Sequence, residues 1–292
     1  MASEGDRRSD PEVERRSRLL GGLHFQGEGA RGVAIALLST AVFLTVVIVA
    51  VTQSAGWPEV KRTFFDWGDI SSSFPDIARA FVLNVKIFLV CEVCILVLAL
   101  VIAVLRSLPG PVFFPLRALA IIYSDLARGI PTILVIALLG FGAPALQLTG
   151  VPTSRVFWAG VGLILIYSGY VAEVYRAGIE SVHPSQEAAA RSLGLSRFQA
   201  LRRVILPQAI RRVIPPLLND FIGLQKDTAL VGTLGVVEAF NQSQIYSNAT
   251  FRYGSFLAAA ALFVALTIPL ARFTDWLIAR DRRRRQAAGG FA

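Results

Sequence analysis

The hydrophobic positions of this chain fall into six long runs separated by polar stretches. The runs cover about residues 33–51, 80–105, 118–141, 156–174, 213–237 and 256–277. A helix needs about 20 mainly apolar residues to cross the hydrocarbon core of a bilayer, and most of these runs approach or exceed that length. The pattern therefore predicts an all-α integral membrane protein with about six transmembrane helices.

The second and the fifth of these runs contain ionisable residues well inside them. Glu92 lies near the middle of the second run. A charge in hydrocarbon costs on the order of 3 kcal/mol on insertion scales, so such a residue usually faces the interior of a helix bundle. In the fifth run, Asn219 and Lys226 are seven residues apart, as are Asp220 and Asp227, and this spacing returns each pair to nearly one helical face. The spacing predicts an inward-facing polar stripe on the fifth helix.

The third and fourth runs each contain a local polar feature. In the third, Arg128 and Gly129 precede Pro131, and the loss of one helical hydrogen bond at proline predicts a kink or break. A gating role and a simple interfacial break explain this feature equally well. In the fourth, Glu173 and Arg176 are three residues apart, a spacing at which opposite charges pair on a helix. We interpret them as a structural ion pair, with substrate contact as the alternative.

A basic stretch at residues 185–207, with four arginines, lies between the fourth and fifth runs. Pro184 suits a first helical position, and Gly194 can adopt the left-handed conformation that ends the helix. Ser196, followed three residues later by glutamine, forms a capping-box pattern that begins a second helix. We expect Pro207 to limit that second helix. The stretch therefore predicts an exposed basic helix–turn–helix hairpin.

Composition and charge support the membrane assignment. Of the 292 residues, 54% are hydrophobic, above the roughly 45–50% typical of soluble proteins. The net charge is +9, and the arginines concentrate at the ends of apolar runs, as the positive-inside rule requires of cytoplasmic segments. No nucleic-acid-binding motif accompanies the charge, so we expect no nucleic-acid partner. Six spans place the hairpin and both termini in the cytoplasm.

Metal and redox chemistry find little support in the sequence. Cys91 and Cys94 form a CxxC pair, but both lie inside an apolar run, and the chain has only two histidines. Helical spacing of two membrane cysteines explains the pair better than a metal or redox site. We expect no metal and no cofactor bound by this chain.

The runs also divide the chain into four parts. We assign residues 1–32 to a polar cytoplasmic tail, residues 33–79 to a first transmembrane helix with an extracytoplasmic loop, residues 80–277 to a transmembrane domain that contains the hairpin, and residues 278–292 to a basic cytoplasmic tail. A second loop is expected at residues 238–254.

The hairpin resembles the Glu-Ala-Ala loop of the inner-membrane permease subunits of ATP-binding-cassette importers. In the family, this loop docks on a cytoplasmic ATPase. The positions that carry the resemblance are Ala189, Ala190, Gly194, Val204, Leu206 and Pro207. The family's glutamate would fall at Ala188, and Glu187 lies one residue too early, so the resemblance leaves that one contact open.

Three further segments resemble the branch of that family that transports polar amino acids. Residues 123–131 are similar to its Arg-Gly-x-Pro signature. Residues 170–179 are similar to the segment around Glu173 and Arg176. Residues 226–230 are similar to Lys-x-Thr-Ser-Leu, with Ala229 in place of serine. The resemblance covers about residues 80–277.

The resemblance implies the type I permease fold, a core of five helices that is here preceded by one more. It implies a multi-pass protein of the bacterial inner membrane that imports polar amino acids or close analogues, such as ectoines, opines or sulfur-containing amino acids. The implied partners are an ATPase dimer that binds ATP and magnesium, an extracytoplasmic solute-binding protein, a second permease chain and membrane lipid. The implied mechanism is alternating access, and since this chain contains no Walker sequence, we do not expect it to hydrolyse ATP.

A zwitterionic solute needs polar partners near the middle of the membrane. We place five residues around that path as a hypothesis: Glu92, Asn219, Lys226, Asp227 and Thr228. Their alternative role is to join helices. An ion-coupled secondary carrier would also explain buried acids, but it would not need a docking hairpin. A membrane-embedded enzyme lacks support because no catalytic set is present.

Overall fold

The computed structural model describes the backbone of residues 30–289 and the side chains of residues 32–280, and it contains only helices, turns and irregular segments there. The polar tail predicted at residues 1–32 lies almost entirely outside this range, as do the side chains of most of the basic tail. The helices are α1 (Ala30–Thr52), α2 (Trp57–Phe64), α3 (Trp67–Ser107), α4 (Phe114–Gly129), α5 (Thr132–Ala145), α6 (Arg155–Glu180), α7 (Pro184–Ser192), α8 (Arg197–Ala200), α9 (Leu206–Asp227), α10 (Ala239–Thr250) and α11 (Gly254–Gly289). The predicted all-α membrane class is confirmed.

The described part of the chain divides into two units, with the boundary between Val60 and Lys61. In the first, α1 presents apolar side chains that are exposed along its length, such as Leu37 and Val46. A helix that is apolar all round suits a lipid environment. The second unit contains the helix bundle.

Helix α6 is the centre of that bundle. It packs against α3, α4, α5 and α9, while α11 packs against α3 and α9. Small residues on α6 allow close approach: a Cβ at Gly169 would lie 2.4 Å from the Cβ of Ala127, and one at Gly162 would lie 3.3 Å from the Cα of Ile136. Membrane helices associate through such small-residue contacts because lipid is as apolar as leucine.

The break predicted at Gly129 and Pro131 is present. Helix α4 ends at Gly129, α5 begins at Thr132, and the two helices are bent by 101°. In the described part of the chain, helices long and apolar enough to cross a membrane lie within Gly32–Thr52, Trp57–Ser107, Arg155–Glu180 and Gly254–Arg280, and the bent pair makes a fifth candidate. The fifth sequence run corresponds to α9. That helix contains several charged residues, so it is not among the helices that are apolar enough to cross a membrane. Six spans therefore stay a prediction.

The hairpin has its predicted elements except at one end. Gly194 adopts a left-handed conformation (φ +85°), and Ser196 forms a complete capping box with Gln199. The expectation that Pro207 limits the second helix is wrong. Helix α8 continues through a π-helical turn, Leu201–Ile205, directly into α9. Pro207 has no N–H to donate to the preceding turn. The π-turn ends with a bond from the N–H of Leu206 to the carbonyl of Leu201, five residues earlier. The helix therefore continues past Pro207 without a break.

Two segments predicted as loops are helical. Helix α3 begins at Trp67, because Asp66 accepts hydrogen bonds from Gly68 and Asp69 at its N-terminus. Residues 239–250 form α10, because the Glu238 carboxylate accepts the N–H groups of Phe240 and Asn241. Both helices begin at a carboxylate cap, which stabilises the positive end of a helix.

Candidate functional site

Acidic and phenolic side chains from three helices face one another between the hairpin and the other end of α9. Glu92 of α3 lies within electrostatic range of Asp220 on α9 and of Tyr175 on α6. Asp220 Oδ2 is buried, and no hydrogen-bond partner for it lies among the described residues. A carboxylate oxygen with unused acceptor capacity can bind an ammonium group or a hydroxyl.

Asp227 lies two turns beyond Asp220 on α9 and has one direct partner on α6. The hydroxyl of Tyr167 donates to Asp227 Oδ2 at 2.9 Å. Gly223 lies between the two aspartates, and a Cβ there would lie 3.2 Å from the Tyr167 hydroxyl. The glycine therefore lets the tyrosine lie across α9 and reach the carboxylate.

The five predicted path residues do not converge on one point. Asn219 and Lys226 are exposed, while Thr228 is fully buried and lies 3.3 Å from Asn84. Only Glu92 and Asp227, with Asp220, lie on the side of α9 that faces α3 and α6. Asn219 and Asp220 are adjacent in the sequence, as are Lys226 and Asp227, and adjacent helical residues are about 100° apart around the axis. The predicted stripe is therefore divided between an exposed face and an inward face of α9.

Arg128, at the bend between α4 and α5, has its hydrogen-bond partners on α4 and not among the acidic residues of α3 and α9. Arg128 pairs with Asp125 one turn earlier at 2.6 Å, and its Nε donates to the carbonyl of Ser124. Its own carbonyl lies 3.5 Å from the hydroxyl of Tyr170. Arg128, Gly129 and Pro131 therefore shape the bend, and a gating role for them stays a prediction.

The predicted pair of Glu173 and Arg176 is present within a larger ion network. Arg176 bonds both Glu173 and Glu180, and Arg106, at the end of α3, reaches Glu173 at 2.7 Å. The Arg106 and Glu173 side chains are only 12% and 21% exposed. Sequence analysis missed Arg106, because its partner lies 67 positions away. The network ties α3 to α6 at the hairpin end.

The hairpin exposes apolar side chains next to basic ones. Leu193 is 84% exposed and Phe198 is 68% exposed. A cavity of about 510 Å³ is lined by Phe198, Gln199, Arg202 and Arg203. Of the other predicted hairpin residues, Ala190 is buried, Ala189, Leu206 and Pro207 are exposed, and Val204 is half-buried. Glu187 lies 3.6 Å from Arg197, so it bridges the two helices of the hairpin.

At the opposite end of the bundle, an ion pair and a hydrogen bond join the beginning of α3 to α10 and to the segment that follows α10. Arg252 bonds Asp66 at 2.9 Å, and the hydroxyl of Tyr246 donates to Asp76 at 2.5 Å. That bond to a carboxylate raises the pKa of Tyr246.

No group of three metal-ligating side chains occurs in the described part of the chain.

Two further buried residues escaped sequence analysis. Asn84 is 1% exposed and Glu238 is 0% exposed, and they bond to each other at 2.8 Å. Asn84 lies inside the second apolar run and Glu238 directly follows the fifth. In the sequence, each of the two is a single polar residue in or beside an apolar run, and nothing there indicates that they meet.

The helical bundle, the exposed basic hairpin and the acidic group between membrane helices together define a transport permease of the inner-membrane type. This chain belongs to the family of binding-protein-dependent transport system inner membrane components, whose model matches residues 95–283. The predicted family is confirmed, and members of this family are transport subunits.

Individual relatives give the same class. The probable amino-acid permease protein YxeN of Bacillus subtilis is 36% identical over 204 residues, which is 70% of this chain and 90% of the relative. The glutamate transport system permease protein GluC of Corynebacterium efficiens is 33% identical over 215 residues, covering 70% and 92%. The crystal structure of an amino acid ABC transporter with histidines has a chain with a TM-score of 0.67 and 28% identity, covering 74% of this chain and 98% of the other.

Proposed function

We propose that this protein is the permease subunit of an importer for polar amino acids and that its hairpin docks on a separate ATPase. The observation that carries the proposal is one uninterrupted helical stretch. It runs from Arg197 in the hairpin through the π-turn and α9 to Leu234, and it includes Asp220 and Asp227. A displacement of the hairpin is transmitted along this stretch to the acidic group, because consecutive helical turns move together.

The hairpin surface supports docking. Leu193 and Phe198 are exposed, and Phe198 lines a cavity together with Arg202 and Arg203. Exposed apolar anchors flanked by arginine are enriched at protein interfaces. The ATPase dimer would bind ATP and magnesium, and this chain would not. Glu187 is engaged with Arg197 inside the hairpin, so its part in docking is to hold the hairpin closed.

The acidic group supports an amino-acid path. Glu92, Asp220 and Asp227 can bind the ammonium group of a zwitterion, and the hydroxyl of Tyr175, which interacts with Glu92, can donate to its carboxylate. The relatives that are named for amino acid, glutamate and glutamine transport point to the same solute class. Lys226, Asn219 and Thr228 lie outside this group and contribute through helix placement.

The assembly we propose also contains a second permease chain, an extracytoplasmic solute-binding protein and surrounding lipid. The hairpin and both termini face the bacterial cytoplasm. This orientation follows from the arginines at the hairpin end of the apolar runs.

Co-purification with an ATPase partner tests the proposal. The full chain is expressed in its native host and purified in mild detergent, and associated proteins are identified by mass spectrometry. Phe198→Asp places a charge on the exposed hairpin surface, and Phe251→Asp places the same charge on a residue that is 85% exposed at the other end of the bundle. We expect an ATPase with the wild type and with Phe251→Asp, and its loss with Phe198→Asp.

Uptake into proteoliposomes completes the test. With the co-purified complex and the solute-binding protein on the side away from the hairpin, labelled glutamine, glutamate or histidine should enter only when ATP is supplied on the hairpin side. A folded protein that carries no ATPase and takes up these amino acids in response to an ion gradient would be a secondary carrier and would overturn the proposal.

A further inference from the structure

A buried hydrogen-bond cluster joins three elements at the end of α9 that is far from the hairpin. Helix α9 has 22 residues, so it spans about 33 Å at 1.5 Å per residue. The cluster consists of Asn84 of α3, Thr228 at the start of the 3₁₀ segment Thr228–Leu234, and Glu238 at the N-terminus of α10. All three are at most 1% exposed.

Asn84 uses both ends of its amide in this cluster. Its Nδ2 donates to Glu238 Oε2 at 2.8 Å and to Thr228 Oγ1 at 3.3 Å. Its Oδ1 accepts the N–H of Ala239 at 3.1 Å. One side chain of α3 therefore fixes both the beginning of the 3₁₀ segment and the beginning of α10.

The carboxylate of Glu238 is also fully engaged. Besides Asn84, it accepts the N–H of Phe240 at 2.9 Å and the N–H of Asn241 at 2.8 Å. The backbone makes room for it at Gly232, where a Cβ would lie 2.1 Å from Oε1. The Asn241 side chain in turn donates to the carbonyl of Gly232 at 3.3 Å. The 3₁₀ segment and α10 are thus bonded on both sides of the carboxylate.

Holding helices together does not require such a cluster. A buried carboxylate pays a desolvation penalty, and well-packed apolar side chains often stabilise a fold as well or better. Directional hydrogen bonds, by contrast, fix one relative position of the elements they join. We propose that Asn84 and Glu238 form a positioning clamp, which sets the 3₁₀ segment and the adjoining end of α9 against α3.

The clamp affects the transport path because the elements that it joins also contain acidic residues of that path. Glu92 lies eight residues beyond Asn84 on α3, and Asp227 immediately precedes Thr228. The clamp therefore sets how far Asp227 lies from the acidic residue on α3. Neither Asn84 nor Glu238 touches the solute in this proposal; each acts through the placement of others.

Paired substitutions test the clamp. In Glu238→Gln, one acceptor oxygen replaces two, and the new amide opposes the amide of Asn84. In Asn84→Asp, two carboxylates oppose each other. The double variant Asn84→Asp with Glu238→Gln restores a donor opposite an acceptor between the two side chains and keeps the acceptor for Ala239, but the N–H of Phe240 loses its acceptor on Glu238 and Thr228 Oγ1 loses its donor on Asn84. Since hydrogen bonds to charged groups are worth about 1.5–3 kcal/mol, we expect each single change to speed amide hydrogen exchange of residues 228–236 about tenfold or more. The double variant should therefore exchange more slowly than either single variant, though faster than wild type.

The effect on transport rests on the proposed function and is measured separately, as the KM for the labelled amino acid that the complex imports. We expect each single variant to raise KM about fivefold or more and the double variant to lower it again toward the wild-type value. A merely structural defect lowers the amount of active protein and hence the maximal rate, but it leaves KM unchanged. Ser243→Ala is the control, because Ser243 is equally buried in α10 and its hydroxyl bonds the carbonyls of Ala239 and Ser255 rather than the 3₁₀ segment.

Hydrogen exchange is measured on this chain without a partner protein. It therefore tests the clamp even if ATP-driven uptake fails. Exchange in the double variant as fast as in the single variants would overturn the clamp. Unchanged KM in the single variants would overturn its role in transport. Gly232→Ala is a second probe if the single variants do not fold, because it leaves both clamp side chains intact while its Cβ excludes the carboxylate. Normal exchange and normal KM in that variant would also overturn the proposal.

Discussion

The hydroxyl of Tyr167 on α6 donates to Oδ2 of Asp227 on α9 at 2.9 Å, across the small surface of Gly223. The bond gives the carboxylate one fixed neighbour and leaves its other oxygen to bind something else. It also joins the central helix of the bundle to the helix that leads from the hairpin. The carboxylate therefore belongs to one helix and is held by a side chain of the other.

Removing that hydroxyl should weaken solute binding. Tyr167→Phe keeps the ring packing but frees Asp227 to rotate, so we expect KM for the imported amino acid to rise about fivefold, the equivalent of one hydrogen bond. Tyr170→Phe is the matched control on the same helix, because its hydroxyl is 3.5 Å from a backbone carbonyl and has no carboxylate partner. Equal KM values in the two variants would remove Tyr167 from the path.

Close packing of α6 and α9 near the hairpin should be sensitive to a single methyl group. A Cβ at Gly178 would lie 2.0 Å from Cγ2 of Val213, and a β-branched valine has few rotamers with which to move away. We expect Gly178→Ala to lower the free energy of unfolding by about 1–3 kcal/mol.

The second substitution Val213→Ala provides the check on that prediction. It removes the opposing methyl group, so the double variant should regain thermal stability in detergent relative to Gly178→Ala alone. If the double variant is less stable than either single variant, the contact is not the cause.

The ion network at the hairpin end should stabilise the bundle more than a surface pair does. Arg106→Leu leaves Glu173 with only part of its hydrogen bonding in a site where both side chains are mostly buried, and we expect a loss of about 2 kcal/mol. Arg272→Leu breaks the pair with Asp275, whose side chains are 80% and 66% exposed. Exposed pairs contribute about 0–1 kcal/mol, so its melting temperature should change little. Equal losses in the two variants would contradict this difference.

Alkaline pH should reveal the bond between Tyr246 and Asp76. Because donation to the Asp76 carboxylate raises the pKa of Tyr246, the folded state holds the phenol proton more tightly than the unfolded state does. The resulting stabilisation is complete below the unfolded pKa of about 10, and it is lost as pH rises through the folded pKa.

Comparison with Tyr246→Phe measures this contribution. The difference in melting temperature between wild type and variant should be constant from neutral pH to about pH 9 and then shrink above about pH 10. A difference that does not change up to pH 11 would mean that the phenol keeps an ordinary pKa.

Local patterns in the sequence predicted local structure well. The break at Gly129 and Pro131, the left-handed Gly194, the capping box at Ser196 and the pair of Glu173 and Arg176 all depend on residues within a few positions of one another. Such features are set by backbone conformation and one helical turn of side-chain spacing. Pro207 is the exception, because a π-turn replaced the expected helix end.

Long-range relationships were decided by the tertiary structure alone. Asn84 meets Glu238 across 154 positions, and Arg106 meets Glu173 across 67. No periodicity along the chain records which face of one helix will meet another. For the same reason the polar stripe of α9 was divided, with Asp220 and Asp227 turned toward α6 and Lys226 exposed.

The sequence by itself thus determined a helical membrane protein with a basic hairpin, since run length, charge distribution and caps act locally along the chain, and its motifs carried the resemblance to the permease family. The tertiary structure decided which polar groups meet. It brought Glu92 toward Asp220, joined Tyr167 to Asp227 and enclosed Glu238 among three donors. The physical reason is that a buried polar group must find its partner wherever helix packing places one, and that packing depends on the whole bundle rather than on any single run.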